Sequence, residues 1–279
     1  MADEPFTVLL PVYRGDRPEH VRRAFDSCTR EQHLAPDSVV VVQDGPVPGE
    51  LASVLDEVVA ASPVPTDLVA LERNVGLARA LDAGLRRCPS PIVARVDADD
   101  ISLPTRFARQ VPLVRGGLDL VGSAIAEFVD DEAVTGLVRV PPVGAERIAR
   151  YARFHDPFNH PSVVYRKSAV EAAGGYRDLA RLEDYWLFTR MIGAGARVDN
   201  VAEPLVLYRV GAGAYARRGG LDLLRSEIVL QARLRHEGFT TPWQCARNLA
   251  VRGAYRLVPE ALRRRAYRTF RSRDRRGLA

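Results

Sequence analysis

The chain has 279 residues, of which 47% are hydrophobic and 27% charged, values typical of a folded protein with a sizeable core. No uncharged apolar stretch reaches the roughly 18 residues that span a bilayer, and the first residues lack the basic and apolar regions of a signal peptide, so an integral membrane or secreted protein is not expected. The three cysteines show no metal-ligand spacing and predict reduced thiols in a cytoplasmic protein.

Strand-like and helix-like segments alternate through the first half of the chain. Four consecutive valines at 39–42 are typical of a strand that is buried on both faces. The patterns predict strands over 6–12, 39–42, 68–71 and 92–96, with helices over 19–28, 51–61 and 75–87. This alternation predicts an α/β protein with a mostly parallel, doubly wound sheet, in which ligands bind at the carboxyl ends of the strands.

Shorter segments follow in the second half. The patterns predict strands over 120–125, 134–140, 162–165 and 205–208, and helices over 169–173, 184–192 and 221–237, then from 242 and from 259. From 247 to 276 eleven arginines accompany two acids, so the net charge of +5 belongs to this C-terminal segment.

One helical face near the C-terminus is apolar: Trp243, Ala246, Ala250, Ala254 and Leu257. Basic amphipathic helices of this kind favour an anionic membrane surface. Two alternatives stay open, a nucleic acid as the partner or simple packing of these helices on the main domain.

An acidic cluster, Asp97-Ala98-Asp99-Asp100, directly follows the predicted strand 92–96. Side chains of an extended chain alternate between faces, so Asp97 and Asp99 are expected on one face with Asp100 opposed. Two carboxylates on one face repel each other unless a cation lies between them, and a divalent metal that keeps positions for substrate phosphates suits such a pair. The alternative is that these acids cap the next helix or solvate a turn.

Six motifs occur in a defined order: Pro11-Val12-Tyr13, Asp44, Arg73-Asn74-x-Gly76-Leu77, Asp97-Ala98-Asp99-Asp100, Gly174-Gly175-Tyr176 and Glu183-Asp184. This order resembles that of the family 2 inverting glycosyltransferases with the GT-A fold, over residues 5 to about 215. Three motifs resemble more narrowly the bacterial amylovoran-type and O-antigen glycosyltransferases: Pro157-Phe158-Asn159-His160, Glu183-Asp184-Tyr185 and Tyr215-x-Arg217-Arg218-Gly219-Gly220.

The resemblance implies a fold, an activity and a location. The fold would be a Rossmann-like nucleotide-binding GT-A domain over 1–215, a mostly parallel mixed sheet flanked by helices, with a helical, arginine-rich extension over 216–279. The activity would be the metal-dependent, inverting transfer of a sugar to a saccharide or polyprenyl-diphosphate-linked acceptor in surface polysaccharide synthesis. The donor would be a UDP-sugar, and galactose is the first choice for the sugar. The protein would be cytoplasmic, peripheral on the inner face of the cell membrane through its C-terminal helices, and without a nucleic-acid partner.

The resemblance also implies residues that bind the nucleotide sugar: Pro11, Val12, Tyr13, Asp44, Arg73, Asp97, Ala98, Arg217 and Arg218. Asp44 would accept a hydrogen bond from N3–H of uracil, and the two arginines Arg217 and Arg218 would close over the diphosphate. Structural interpretations stay open for Asp44 as a turn residue and for Arg73 as a solvated side chain.

For the reaction itself, the resemblance implies Mn²⁺ or Mg²⁺ on the donor phosphates. Asp99 would be the direct ligand, Asp97 a second ligand or a contact to ribose or metal-bound water, and His160 a third ligand or a donor to phosphate or sugar. Asp184 would be the general base, although an acid in the first turn of a helix is also common for structural reasons. The implied acceptor-binding residues are Gly175, Tyr176 and Glu183.

The same residues bear on two other functions. A sugar-phosphate nucleotidyltransferase normally carries a glycine-rich basic loop after its first strand, which residues 11–15 do not supply, and Lys167 is the only lysine of the chain. A catalytically inactive scaffold that binds nucleotide or glycan is disfavoured because both Asp99 and Asp184 are present.

Overall fold

The computed structural model describes residues 3–211 and 220–257. They form two compact units, the first made of residues 3–178 with Glu183–Arg209, the second of Leu179–Leu182 with the described residues from Val210 onward. The predicted domain boundary at 215/216 and the helix predicted from 259 lie outside the described residues and stay predictions.

Nine strands of the first unit form one sheet. They are β1 (Phe6–Tyr13), β2 (Ser38–Asp44), β3 (Thr66–Ala70), β4 (Ile92–Arg95), β5 (Ile101–Ser102), β6 (Leu120–Phe128), β7 (Thr135–Arg139), β8 (Val164–Arg166) and β9 (Val198–Arg209). The order across the sheet is β3-β2-β1-β4-β8-β6-β9-β5, and β7 pairs with β6.

The sheet is parallel where the candidate site lies. Strand β1 runs parallel to both β2 and β4, and β2 runs parallel to β3. Antiparallel β8 then joins β4 to β6, which is parallel to β9. The predicted mostly parallel mixed sheet is therefore confirmed, and the carboxyl ends of β1, β2 and β4 meet at one edge, as parallel pairing requires.

Helices cover both faces of this sheet. They are α1 (Pro18–Cys28), α2 (Gly49–Ala60), α3 (Leu77–Arg87), α4 (Arg106–Arg115), α5 (Ala145–Ala152), α6 (Lys167–Ala172) and α7 (Glu183–Gly193), with a short 3-10 helix at His160–Ser162. The core under α1, α2 and α4 takes Val39 and Val41, whereas the opposite core under α3 and α7 takes Val40 and Val42. The valine run is thus buried on both faces, as its composition predicts.

Two element boundaries, the end of β4 and the start of α3, differ from the predictions. Strand β4 ends at Arg95, and the chain turns at Ala98 and Asp99, so the strand-like alternation expected for the acidic cluster is wrong. Helix α3 begins at Leu77 rather than at 75, because Gly76 at φ +87° is its N-cap. The sequence also did not predict α4, which carries an internal proline, or the short strand β5 and helix α5.

The described part of the second unit contains two packed helices, α8 (Leu221–His236) and α9 (Pro242–Leu257). The fully buried Glu227 on α8 accepts hydrogen bonds from Arg252 Nε at 2.6 Å and from Arg256 Nη2 at 3.1 Å on α9. Helix α9 therefore turns a polar side toward α8. Of the apolar face predicted from the sequence, Trp243 is 76% exposed and Ala246, Ala250 and Ala254 are exposed too; Val251, outside that predicted face, is 54% exposed.

Candidate active site

The edge of the sheet where β1, β2 and β4 end carries residues that the sequence predicted to bind the nucleotide sugar. Pro11 and Val12 are buried within β1, and Tyr13 at its end is half exposed. The backbone N–H of Tyr13 donates to Asp16 Oδ2 at 2.8 Å, which closes the turn after the strand.

Asp44, at the end of β2, is only 4% exposed and is bonded through both carboxylate oxygens. It accepts the backbone N–H of Val75 at 2.7 Å, the N–H of Gly76 at 3.0 Å and the amide of Asn74 at 2.9 Å. These bonds hold the turn before α3, where Arg73 is exposed. Arg73 therefore directly precedes the segment that Asp44 bonds. The contact of Asp44 with a nucleotide base and that of Arg73 with the nucleotide stay predictions.

Asp97 is engaged by a buried arginine that the sequence analysis missed. Arg95, the last residue of β4, is 1% exposed and donates from Nη1 to Asp97 Oδ2 at 2.7 Å, while its Nη2 bonds the other oxygen. An arginine remains charged in proteins, so its burial requires such a partner. The sequence feature that could have predicted this buried arginine is a single cationic residue at the end of the apolar run Ile92-Val93-Ala94.

Asp100 is buried below the cluster. Its Oδ1 accepts the backbone N–H of Arg209 at 2.8 Å, and its Oδ2 has no hydrogen-bond partner among residues 3–211 and 220–257. Burial, with the charges of Asp99 and Asp97 adding to it, raises the pKa of Asp100 well above its ordinary value. The residue Asp99 is partly exposed, and its backbone carbonyl accepts a hydrogen bond from Arg209 Nε at 3.0 Å.

Asp16 is a further carboxylate of this site that the sequence analysis missed. Burial, and then the negative charges of Asp99 and Asp97, raise its pKa to about 7. The signal in the sequence was an acid three residues after the strand that ends at Tyr13. Four carboxylates at 16, 97, 99 and 100 therefore raise the local negative potential, which a cation would relieve.

The oxygen donors of this cluster fit a hard divalent metal such as Mn²⁺ or Mg²⁺. In the described part of the chain, no group of three or more His, Cys, Asp or Glu side chains is arranged to hold a metal ion, so the predicted set Asp97, Asp99 and His160 is not assembled. A metal that bridges substrate phosphates needs only one or two protein carboxylates. The unpartnered Oδ2 of Asp100 and the partly exposed Asp99 are consistent with that smaller donor set.

The candidate base lies at the start of α7. Asp184 Oδ1 accepts the backbone N–H of Tyr185 at 2.7 Å, and its side chain remains 20% exposed. Burial raises the pKa of Asp184, whereas the positive charge of Arg95 lowers it. Glu183 is more deeply buried, and burial together with the charge of Asp184 raises its pKa to about 7. Arg95 therefore acts electrostatically on both the acidic cluster and the candidate base.

The predicted acceptor residues are Glu183, which directly precedes Asp184, and the adjacent pair Gly175 and Tyr176. Gly175 adopts φ +68°, and a side chain there would meet Asp82 Oδ1 at 2.7 Å, so the turn requires glycine. Arg190 Nη2 donates to the Gly175 carbonyl at 2.8 Å. Tyr176, which is buried, bonds His160. The predicted loop arginines Arg217 and Arg218 lie outside the described residues.

A model of the glycosyl transferase family 2 domain matches residues 7–174, which contain β2, β3, β4, nearly all of β1 and the acidic cluster. The chain belongs to glycosyl transferase family 2. It is 37% identical over 227 residues to the amylovoran biosynthesis glycosyltransferase AmsE of Erwinia amylovora, covering 81% of this chain and 84% of that protein. It is also 31% identical over 265 residues to an Escherichia coli UDP-Gal:alpha-D-GlcNAc-diphosphoundecaprenol beta-1,3-galactosyltransferase, covering 94% and 95% of the two chains.

Solved structures share the fold of this family 2 glycosyltransferase. S. aureus TarS 1–349 in complex with UDP-GlcNAc superposes with a TM-score of 0.66 at 14% identity, over 88% of this chain and 70% of that one. The mannosyltransferase PcManGT from Pyrobaculum calidifontis, in complex with GDP-Man and Mn²⁺, gives 0.61 at 18% identity, over 92% and 71%. The predicted family and the GT-A fold are both confirmed. None of the helices among the described residues is long and apolar enough to cross a membrane.

Proposed function

We propose that this glycosyltransferase moves a sugar from a UDP-sugar, with galactose as the first candidate, to a hydroxyl of a lipid-linked or saccharide acceptor, with inversion and with a divalent metal. The observation that carries the proposal is that the buried Arg95 acts on two carboxylate sites: it bonds Asp97 of the acidic cluster, and its positive charge lowers the pKa of Asp184. The relative from E. coli named for UDP-Gal and for a GlcNAc-diphosphoundecaprenol acceptor supports the choice of donor and acceptor.

Asp184 is the general base in this proposal. It takes the proton of the acceptor hydroxyl as that oxygen attacks the anomeric carbon, and the bond to the nucleoside diphosphate breaks in the same displacement, so the configuration inverts. Its exposed fraction of 20% leaves the carboxylate within reach of an acceptor. Gly175, Tyr176 and Glu183 would orient the acceptor sugar.

The donor diphosphate binds at the acidic cluster in this proposal. Asp99 would hold Mn²⁺ or Mg²⁺, and Asp97, kept in place by Arg95, would contact the ribose or a water on the metal. Bound there, the ion supplies positive charge for the departing diphosphate. The base and ribose would lie along Pro11 to Tyr13, near Asp44 and Arg73, with Arg217 and Arg218 over the phosphates.

Nucleotide release by the purified full chain tests this function. We expect Mn²⁺-dependent release of UDP from UDP-galactose in the presence of a GlcNAc-diphospho-lipid acceptor, and a product whose new linkage has the anomeric configuration opposite to that of the donor. UDP-GlcNAc and UDP-glucose serve as the donor controls. A chain that binds these donors in a thermal-shift assay but releases no nucleotide with any acceptor would support the inactive-scaffold alternative.

We also propose that α9 contacts an anionic membrane surface. The two large apolar side chains Trp243 and Val251 are exposed on this helix, while its polar side pairs with Glu227 on α8, so these two side chains are available to a partner. Eleven arginines between 247 and 276 make the segment complementary to anionic headgroups. A lipid-linked acceptor would be met at such a surface.

Flotation with liposomes tests the membrane contact. The double variant Trp243→Ser and Val251→Ser is expected to lose most of its binding to anionic vesicles, because it removes the apolar contact that supplements charge attraction. The matched control is Val129→Ser with Val134→Ser, two apolar residues that are exposed at 57% and 67% in the first unit. Equal flotation of both double variants would exclude a role for the apolar face of α9.

A further inference from the structure

His160 lies between Tyr176 and the candidate base. Its Nε2 is 3.1 Å from the Tyr176 hydroxyl, and its Nδ1 is 3.6 Å from Asp184 Oδ2. The imidazole is only 8% exposed and packs edge-to-face on Phe188, with a ring-centroid distance of 5.9 Å. One ring nitrogen therefore faces a phenol and the other faces the carboxylate of the proposed base.

The tautomer of His160 follows from these two neighbours. A carboxylate only accepts hydrogen bonds, so the contact between Nδ1 and Asp184 is favourable only when Nδ1 carries the proton. The Tyr176 hydroxyl can then donate to the unprotonated Nε2. Burial raises the pKa of the Tyr176 hydroxyl, which keeps its proton, and burial together with the charge of Arg95 lowers the pKa of His160 well below its ordinary value. The imidazole is thus a neutral donor through Nδ1.

We propose that His160 is a positioning residue for Asp184: Tyr176 donates to Nε2, and Nδ1–H donates to Asp184 Oδ2. The separation of 3.6 Å is longer than a hydrogen bond, and it shortens in this proposal when an acceptor is bound. The backbone N–H of Tyr185 already holds Oδ1. Both oxygens of the base would then be held, and the carboxylate would point a remaining lone pair at the acceptor hydroxyl.

This role differs from the metal-ligand role that the family resemblance implied for His160. It rests on the proposed function of Asp184, but it makes a separate claim. A ligand of the metal would set the metal concentration needed for activity, whereas a residue that orients the base would affect kcat alone. Misplacement of a reacting group by about 1 Å can reduce the rate by about 100-fold, so the effect is measurable.

Three variants test the proposal. His160→Ala is expected to lower kcat by about 10- to 100-fold, with the KM for the donor and the half-saturating Mn²⁺ concentration unchanged. His160→Asn places an amide N–H near the position of Nδ1 and is expected to recover most of that loss. Tyr176→Phe removes the donor to Nε2 and is expected to show a smaller loss in kcat. Thermal unfolding checks that each variant is folded.

Several outcomes would overturn the proposal. A raised half-saturating Mn²⁺ concentration in both His160 variants would identify a metal ligand instead. Equal losses of kcat in His160→Ala and His160→Asn would indicate that His160 acts through packing alone. If both variants kept the wild-type kcat while Asp184→Asn was inactive, His160 would have no positioning role, and Asp184 would remain the proposed base. Full turnover by Asp184→Asn would instead contradict the proposed function itself.

Discussion

Replacing Asp184 with asparagine is expected to lower kcat by about 10²- to 10⁴-fold while leaving the affinity for the nucleotide sugar unchanged. The amide fills the same space and can still accept the backbone N–H of Tyr185, but it cannot take the proton of the acceptor hydroxyl. The loss should therefore appear in the chemical step. Steady-state nucleotide release, with donor affinity measured by calorimetry, separates the two effects.

The matched control is Asp67→Asn, a partly exposed aspartate on β3 that pairs with Arg87 away from the candidate site. It should retain wild-type turnover. The pH profile gives a second check, since burial raises the pKa of Asp184. A protonated carboxyl cannot act as a base, so kcat should fall as the pH drops through that raised pKa, which is higher than the ordinary value of an aspartate. This fall in kcat at low pH should be absent from the residual activity of Asp184→Asn.

Replacing Asp99 with asparagine is expected to abolish the gain in donor affinity that Mn²⁺ provides. The predicted loss is about 100-fold or more, because charge stabilisation by a metal is worth several kcal/mol and each 1.4 kcal/mol corresponds to a factor of ten. Asp99 follows the end of β4 in the acidic cluster and is partly exposed, whereas Asp100 is buried, so Asp99 is the proposed ligand. Calorimetric titration with UDP, with and without Mn²⁺, measures the effect.

Asp97→Asn is the informative comparison for this prediction. That change leaves the buried Arg95 guanidinium without its full counter-charge, and breaking a buried pair costs about 3–5 kcal/mol. We therefore expect a lower unfolding temperature for Asp97→Asn, with the dependence on Mn²⁺ kept. If Asp97→Asn removed the metal dependence and Asp99→Asn did not, the assignment of the ligand would be reversed.

The parts of the fold that depend on local patterns were predictable. The valines at 39–42 indicated a strand covered on both faces, and the structure divides them between two cores. The order of short motifs indicated the family, which the match over residues 7–174 confirms. Helix α4 was missed because Pro112 interrupts its pattern, and β5 has only two residues.

The apolar face of α9 shows how a correct local pattern leaves the packing open. The sequence placed Trp243 and Ala250 on one side of a helix, which is usually the buried side. The structure buries Asn248 and the Arg252–Glu227 pair instead, and the apolar side is exposed. A helical pattern gives the relative positions of side chains, but the partner helix decides which side is covered.

The sequence by itself determined the family, the alternation of strands and helices, and the carboxylates proposed for the reaction, since these are properties of residue type and spacing along the chain. Only the tertiary structure decided which groups act together: Arg95 on Asp97, Asp16 beside the acidic cluster, and His160 between Tyr176 and Asp184. The physical reason is that charge pairing, burial and hydrogen bonding depend on distances in space. His160 and Asp184 are 24 positions apart along the chain and 3.6 Å apart in the fold.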